Sequence, residues 1–392
     1  MTSRGPPTTR SRKSTHRNSL PVPDDLAMEI FTRLSAKAIA RCRCACKSWS
    51  SMLRSQDFTD SFLTKSSTRP QFLFVCQDHY SNHISFSSSS SPHPQKEENS
   101  SSSYTVTANH LARFRSSHML LGCTNGFLCY GFNPVWKGRI DPVIYNPITR
   151  QSLTLPRLKL SSKRFLGIVV SYLGYDPVSK EFKVLSMESS RVSANHQVLT
   201  LGTNKKLSWR SVHCSTPHSS SGKWISISGV LYYAAGANTS SVTSMVACFD
   251  MNVEKFSFVN FGRVMHGSTV LVDYNGKLGL LMSGDAPGDN ISRASKSFEL
   301  WVLRDGAEWC KHLYVLPPLW KDVVTETMGI AGIIVGTNEI VLAPFLQNSL
   351  SYVIYFNVEK NTLTKVGIQG MEASRGKRFD IYINYVENLK LL

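Results

Sequence analysis

The strongest constraint on this chain is a pair of short motifs that recurs from about residue 119 onward. One is a tight turn followed by an apolar strand: TNGFLCY (124–130), SGVLYYA (228–234), NGKLGLLM (275–282) and TNEIVLAPF (337–345). The other is an aromatic residue, then Asn or Asp, then a charged turn into a second strand. It occurs as YNPITRQSLTLP (145–156), YDPVSKEFKVLS (175–186), FDMNVEKFSFVN (249–260) and FNVEKNTLTKVG (356–367). The spacing is kept, with Gly126 lying 19 residues before Tyr145, Gly229 lying 20 before Phe249 and Asn338 lying 18 before Phe356. An Asn or Asp side chain accepts hydrogen bonds from the backbone two residues on, so the second motif is a built-in turn. A small antiparallel sheet cannot bury both faces alone, but stacking such sheets around an axis covers them and protects their edges. At about 45–50 residues per unit, the chain after residue 69 makes an irregular β-propeller of six or seven blades. A large β-sandwich is the other arrangement open to the same strands.

Upstream the texture is helical. Pro23 with Asp24 and Asp25 marks a helix start, acids being favoured at that end. Leu26, Ile30 and Leu34 recur at four-residue spacing, flanked by Met28 and Phe31, and make one apolar face over about two turns. Ile39, Cys42, Cys46, Trp49 and Leu53 continue at spacings of three and four, which predicts a second helix after a break near Ser35. The chain therefore divides into a small all-α N-terminal module (20–66) and a large all-β domain (69–392). A polar, Ser-rich stretch at 81–103 reads as a disordered loop inserted in the β domain. Residues 1–19 carry Arg4, Arg10, Arg12, Lys13 and Arg17 with no acid and read as a disordered basic tail. Their composition also fits a transit peptide, and RSRK also fits a weak nuclear signal.

The net charge of +17 raises the question of nucleic acid. The excess is scattered, and no basic stripe is interleaved with aromatics, so a generally basic surface is the simpler reading. No run of about 18 or more apolar residues occurs, so no membrane helix is expected. The N-terminus has no apolar secretion core. The nine cysteines are odd in number and unevenly spaced, which suits reduced thiols in the nucleus or cytoplasm.

Chemistry-bearing motifs are missing. There is no HExxH, CxxC or GxSxG, and GRVMHGST (262–269) has Ser268 where a phosphate loop needs Lys. The 11 histidines are dispersed, and Asp285 and Asp289 look like a surface turn. In RCRCACKSWSSML (41–53), Cys42 and Cys46 can share a helix face while Cys44 points away, short of the four ligands structural zinc prefers. Cys42 and Cys46 then read as small core hydrophobes. No catalytic, metal or cofactor site is assigned.

With these residues laid out, VPDDLAMEIFTRLSAKAIARCRCACKSWSSML (22–53) resembles a plant F-box. The positions that carry the likeness are Val22, Pro23, Asp25, Leu26, Glu29, Ile30, Arg33, Leu34, Lys37, Arg41, Arg43, Cys44, Cys46, Lys47 and Trp49. Ser35 stands where the family has Pro, which loosens the break between helices. Cys42 stands where it has Phe, which removes core volume. Downstream, LGYDPVSKEFKVL (173–185), HQVLTLG (196–202), WRSV (209–212), SGVLYYAA (228–235), CFDMNVEKFSF (248–258), GKLGLL (276–281), LWVL (300–303) and KHLYVLPP (311–318) resemble the kelch-like F-box-associated domain of plant F-box proteins.

The resemblance implies a non-catalytic receptor subunit of an SCF-type (cullin–RING) ubiquitin ligase. Its F-box would bind a Skp-family adaptor, and through it cullin, by way of Val22, Pro23, Leu26, Ile30, Leu34, Ile39 and Trp49. The β domain would hold an unidentified target protein. The alternative is a propeller-based binding module whose degenerate F-box works outside the ligase. An enzyme built on a propeller is disfavoured by the missing motifs.

Overall fold

In the computed structural model, the residues described are 22–78, 83–89, 95–96, 104–115, 119–132, 141–158, 169–188, 192–202, 206–236, 243–285, 290–345, 351–372 and 377–392. The expected basic tail and most of the expected insert lie outside them.

Four helices come first: α1 (Asp24–Thr32), α2 (Ala36–Arg43), α3 (Lys47–Met52) and α4 (Gln56–Ser67). Asp24 and Asp25 occupy the first turn of α1, where their charge opposes the helix dipole. Ser35 caps α2, its side chain accepting from the Ala38 N–H at 3.3 Å. Ser55 caps α4 in the same way, accepting from Phe58 at 3.2 Å. Ser35 therefore does not loosen the break as expected. It satisfies one of the amides that a helix start leaves unpaired. Ser35→Ala should lower stability by about 1 kcal/mol, read as a fall in melting temperature, and an unchanged melting point would mean the cap contributes nothing. The expected single helix over 39–53 is divided, because Cys46 is extended (φ −156°, ψ 162°) and starts α3 afresh.

The β domain follows as successive four-stranded antiparallel sheets. The first blade holds β1 (Gln71–Asp78), β2 (His83–Ser89) and β4 (Tyr104–Arg115), with a two-residue β3 (Gln95–Lys96) beside β4. The second is β5 (Met119–Thr124), β6 (Phe127–Phe132), β7 (Val143–Asn146) and β8 (Gln151–Thr154). The third is β9 (Val169–Asp176), β10 (Glu181–Glu188), β11 (Ser193–Leu201) and the first half of β12 (Arg210–Ile227). The second half of β12 opens the fourth blade, with β13 (Val230–Gly236), β14 (Thr243–Asp250) and β15 (Lys255–Met265).

The fifth blade is β16 (Val270–Tyr274), β17 (Lys277–Ser283), β18 (Ser297–Leu303) and β19 (Trp309–Val315). A short α5 (Trp320–Val323) leads to the sixth: β20 (Met328–Ile333), β21 (Glu339–Pro344), β22 (Tyr352–Asn357) and β23 (Thr362–Gln369). The last strand, β24 (Arg378–Tyr385), returns to pair antiparallel with β1, from Gln71↔Tyr385 to Gln77↔Arg378. That pairing closes a ring of six blades among the described residues.

The apolar clusters follow the ring. One lies between each adjacent pair of blades: Phe86 with Tyr145, Phe127 with Phe182, Tyr172 with Tyr233, Phe261 with Trp301, Phe298 with Phe356 and Phe72 with Tyr355 each mark one. Burial between sheets rather than within one sheet makes the blades cooperative.

The repeated turns form as their chemistry requires. Asn146 accepts from Ile148 N–H at 2.9 Å, Asp176 from Val178 at 2.9 Å, Asp250 from Asn252 at 2.8 Å and Asn357 from Lys360 at 2.9 Å. In each, the residue four positions on has positive φ: Arg150 (59°), Lys180 (56°), Glu254 (56°) and Asn361 (51°). The Asn-Gly turns at 125–126 and 275–276 have positive φ at both residues, the mirror-image turn that suits a twisted hairpin.

The insert reading needs correction. Residues 83–89, expected in a loop, form β2, a central strand paired on one side with β1 and on the other with β4. Ile84 and Phe86 are fully buried, and so, nearly, are Ser87, Ser88 and Ser89. The serines fit because they are small. Ser89 Oγ accepts from the Phe72 N–H at 3.2 Å.

Candidate functional site

Helix α1 carries two apolar faces about 100° apart. Ala27 and Phe31 point inward and join Ala36, Ile39, Leu53, Phe58 and Phe62 in the core of the helical module. Leu26 and Ile30 point outward, 57% and 54% exposed, in line with Val22 at 56%. Pro23 is exposed beside them. On α3, Trp49 is 39% exposed and sets its ring edge-on against Phe31, with centroids 5.0 Å apart. Burying an aliphatic side chain of this size is worth about 1.5–3 kcal/mol. Left in water, beside a core that packs Phe31, Ile39, Phe58 and Phe62, they form the kind of apolar surface that a partner can cover.

The predicted contact residues therefore separate into groups. Val22, Pro23, Leu26, Ile30 and Trp49 are all exposed. Leu34 is half-buried against the helical core. Ile39 is fully buried, between Phe31 and the α4 phenylalanines, and is a core residue rather than a contact residue. Four-residue spacing alone cannot tell an inward stripe from an outward one. Exposed charge surrounds the row. Glu29 pairs with Arg33 at 2.7 Å, and the hydrogen bond and charge of Arg33 hold the Glu29 carboxyl below its usual range. Lys37, Arg41 and Lys47 are exposed on α2 and α3.

The three clustered cysteines are free thiols at the α2–α3 break. Cys42 packs partly against the helical core. Cys44 is exposed at the end of α2. Cys46, expected in the core, is exposed and caps α3 through a long contact with the Trp49 N–H at 3.4 Å.

A second feature went unread in the sequence. The last six residues bind the helical module to the propeller. Leu389 is buried in the helical core, which also takes Ile148 from the turn between β7 and β8. Asn388 donates to the Asn125 carbonyl at 2.7 Å, while Asn146 donates to the carbonyls of Asn388 and Lys390 at 3.0 and 3.2 Å. Lys390 pairs with Asp60 of α4 at 2.6 Å and donates to the Lys180 carbonyl of the third blade at 3.0 Å. From the other side, Arg69 donates to the carbonyls of Arg33 and Thr32 at 2.5 and 3.0 Å. These residues carry no periodic signal, since their order comes from tertiary contacts on both sides. A cleft of about 630 Å³ lies along this seam, lined by Arg43, Arg54, Lys180, Phe182, Glu181 and Leu392 among others.

Glu387 sits at the same seam and accepts from the Ala36 N–H at 3.0 Å. Burial raises its carboxyl above the usual range, opposed by that hydrogen bond and by Arg69. The folded protein thus holds this proton more tightly than the unfolded chain. The stability this contributes is complete below the unfolded value of about 4.3 and is lost as pH rises through the folded one. Glu387→Gln keeps the acceptor oxygen and removes the buried charge. Its melting temperature should exceed the wild type's at neutral pH and match it near pH 4. A lower value at neutral pH would show that the Arg69 contact outweighs burial.

Residues 20–61 match the F-box domain family, and residues 71–386 match the F-box associated beta propeller domain family. The Arabidopsis thaliana F-box protein At3g23960 is 45% identical over 384 residues, covering 94% of this chain and 92% of that one. F-box protein DOR from Arabidopsis thaliana is 43% identical over 382 residues, covering 96% and 95%. F-box protein At5g65850 from the same plant is 41% identical over 394 residues, covering 98% and 94%. With an F-box match over its helices, a β-propeller match over most of the rest, and relatives above 40% identity along nearly the whole length, the chain belongs to the plant F-box proteins that carry an F-box-associated β-propeller.

Proposed function

We propose that this chain is the substrate receptor of an SCF-type cullin–RING ubiquitin ligase. In this reading the F-box docks on a Skp-family adaptor, the adaptor carries it to cullin, and the propeller holds the protein to be ubiquitinated. The observation that carries the reading is the exposed row Val22, Leu26, Ile30 and Trp49 on an otherwise packed F-box. The chain performs no bond chemistry of its own. Its contribution is proximity, which turns an encounter between a target lysine and a charged ubiquitin-conjugating enzyme into an effectively intramolecular one. The seam through Leu389 and Lys390 supports the same reading, because a receptor that positions its cargo gains from a fixed angle between its two binding surfaces.

The test is recovery of the tagged chain from plant cells treated with a proteasome inhibitor. Adaptor and cullin should be recovered together with ubiquitinated proteins that are absent when the propeller is deleted. Recovery of the propeller's partners without adaptor or cullin would replace the ligase with a binding module acting outside it. Fluorescent fusions should place the chain in the nucleus, the cytoplasm or both.

A further inference from the structure

Two histidines and a cysteine that stand apart in the sequence meet where the third blade joins the fourth. His196 lies on β11, and Cys214 and His218 lie on β12; all three are buried to within 2%. Their ligating atoms lie within 4.8 Å of one another. Cys214 Sγ is 3.8 Å from His218 Nδ1. A nitrogen at about 2.0 Å and a sulfur at about 2.3 Å from one shared ion stand roughly 3.6 Å apart. That pair is already spaced for an ion, and His196 needs an approach of about 1 Å to join it.

The backbone explains the convergence. The β11–β12 register jumps from Ser193↔His218 to Asn195↔His213, so a bulge lifts residues 214–217 of β12 out of the ladder. Bulges re-aim side chains, and this one brings Cys214 and His218 round the same Thr216 carbonyl, at 3.1 and 2.9 Å. The bend is also where β12 leaves one blade for the next.

His196 is the member that structure alone does not explain. Both ring nitrogens are buried, and neither has a hydrogen-bond partner. The backbone at Ala194 lies near enough to influence the ring but short of hydrogen-bond geometry. The ring stacks on His218 at 4.8 Å and leans on Phe256 at 4.7 Å. A residue kept only to fill that space would carry no nitrogens. Met187, also buried, stands directly opposite His196 in the β10–β11 ladder and adds a thioether to the same face.

We propose that His196, Cys214 and His218 form a site for one thiophilic d10 ion, Zn(II) or Cu(I), that fastens the third blade to the fourth. Two imidazoles and a thiolate, with no carboxylate in the cluster, select a soft or borderline ion over magnesium or calcium. Binding releases one proton, from the Cys214 thiol to solvent, and the thiolate takes the ion. His218 changes tautomer, so that Nδ1 turns from Thr216 to the ion and Nε2–H donates to Tyr233 Oη, which lies 2.5 Å away. A bond of that kind is the usual outer support of a ligating histidine.

The test is titration of the metal-stripped full-length chain with Co(II) alone, followed by Zn(II) or Cu(I) in competition. About one equivalent of Co(II) should bind with a thiolate charge-transfer band. Displacement by Zn(II) identifies a zinc site, and displacement by Cu(I) alone identifies a copper site. Cys214→Ser and His196→Phe should each weaken binding about 100-fold, and His196→Phe, which keeps the stacking on Phe256, should still give a cooperative melt. The double change Cys44→Ser and Cys46→Ser should leave the band intact. No band in the wild type would overturn the proposal, as would an unchanged Co(II) affinity in His196→Phe or a band that disappears with Cys44 and Cys46.

Discussion

Replacing Leu26 and Ile30 together by Asp should lower affinity for a Skp-family adaptor by about 1,000-fold, while leaving the fold intact. Truncating an anchor at the centre of an interface costs about 2 kcal/mol or more. Two such losses amount to about 4 kcal/mol, or three decades in Kd. Placing a charge where an apolar surface must close adds its own desolvation cost. The fold is spared because both side chains are more than half exposed, whereas Ala27, Phe31 and Ile39 hold the core of the module. Exposed substitutions of this kind usually move stability by no more than about 0.5 kcal/mol. Ile39→Asp provides the contrast, since it should unfold the module outright. Titration calorimetry of both variants, with melting curves alongside, checks the pair. Wild-type affinity in the double variant would move the contact surface off α1.

Leu389→Ala should release the helical module from the propeller. Removing a fully packed leucine side chain costs about 2–5 kcal/mol. The F-box helices span fewer than 50 residues (24–67), a size at which a hydrophobic core alone is marginal. Leu389 and Ile148 complete that core from the β domain, so the module borrows stability across the seam. The single melting transition should divide, with the helices melting below the propeller. Limited proteolysis should then cut within residues 22–69 and leave the rest intact. Added adaptor should restore protection, since a ligand of the folded state alone stabilises it by mass action. One cooperative transition at the wild-type temperature would show that the F-box stands without the tail.

How far the sequence could be read follows from where each signal resides. The propeller was legible because its turns are local chemistry. Asn146, Asp176, Asp250 and Asn357 each make the same bond two or three residues ahead, whatever surrounds them. The ring's closure was not, because β24 pairs with β1 across some 300 residues and no local pattern records it. Strand β2 was lost to its serines, which are polar by composition yet buried by pairing on both sides. On α1 the spacing of Leu26 and Ile30 revealed an apolar stripe, but only the packing of Phe31 and Ile39 shows which stripe faces outward. His196 and His218 are dispersed in the sequence, and a bulge in β12 brings them together.

The most direct measurement is calorimetric titration of the purified full-length chain with a purified plant Skp-family adaptor. A one-to-one complex with submicromolar affinity is expected, with a negative heat-capacity change from burial of the Val22, Leu26, Ile30 and Trp49 row. No binding by a chain that melts cooperatively would contradict the assignment as a ligase receptor.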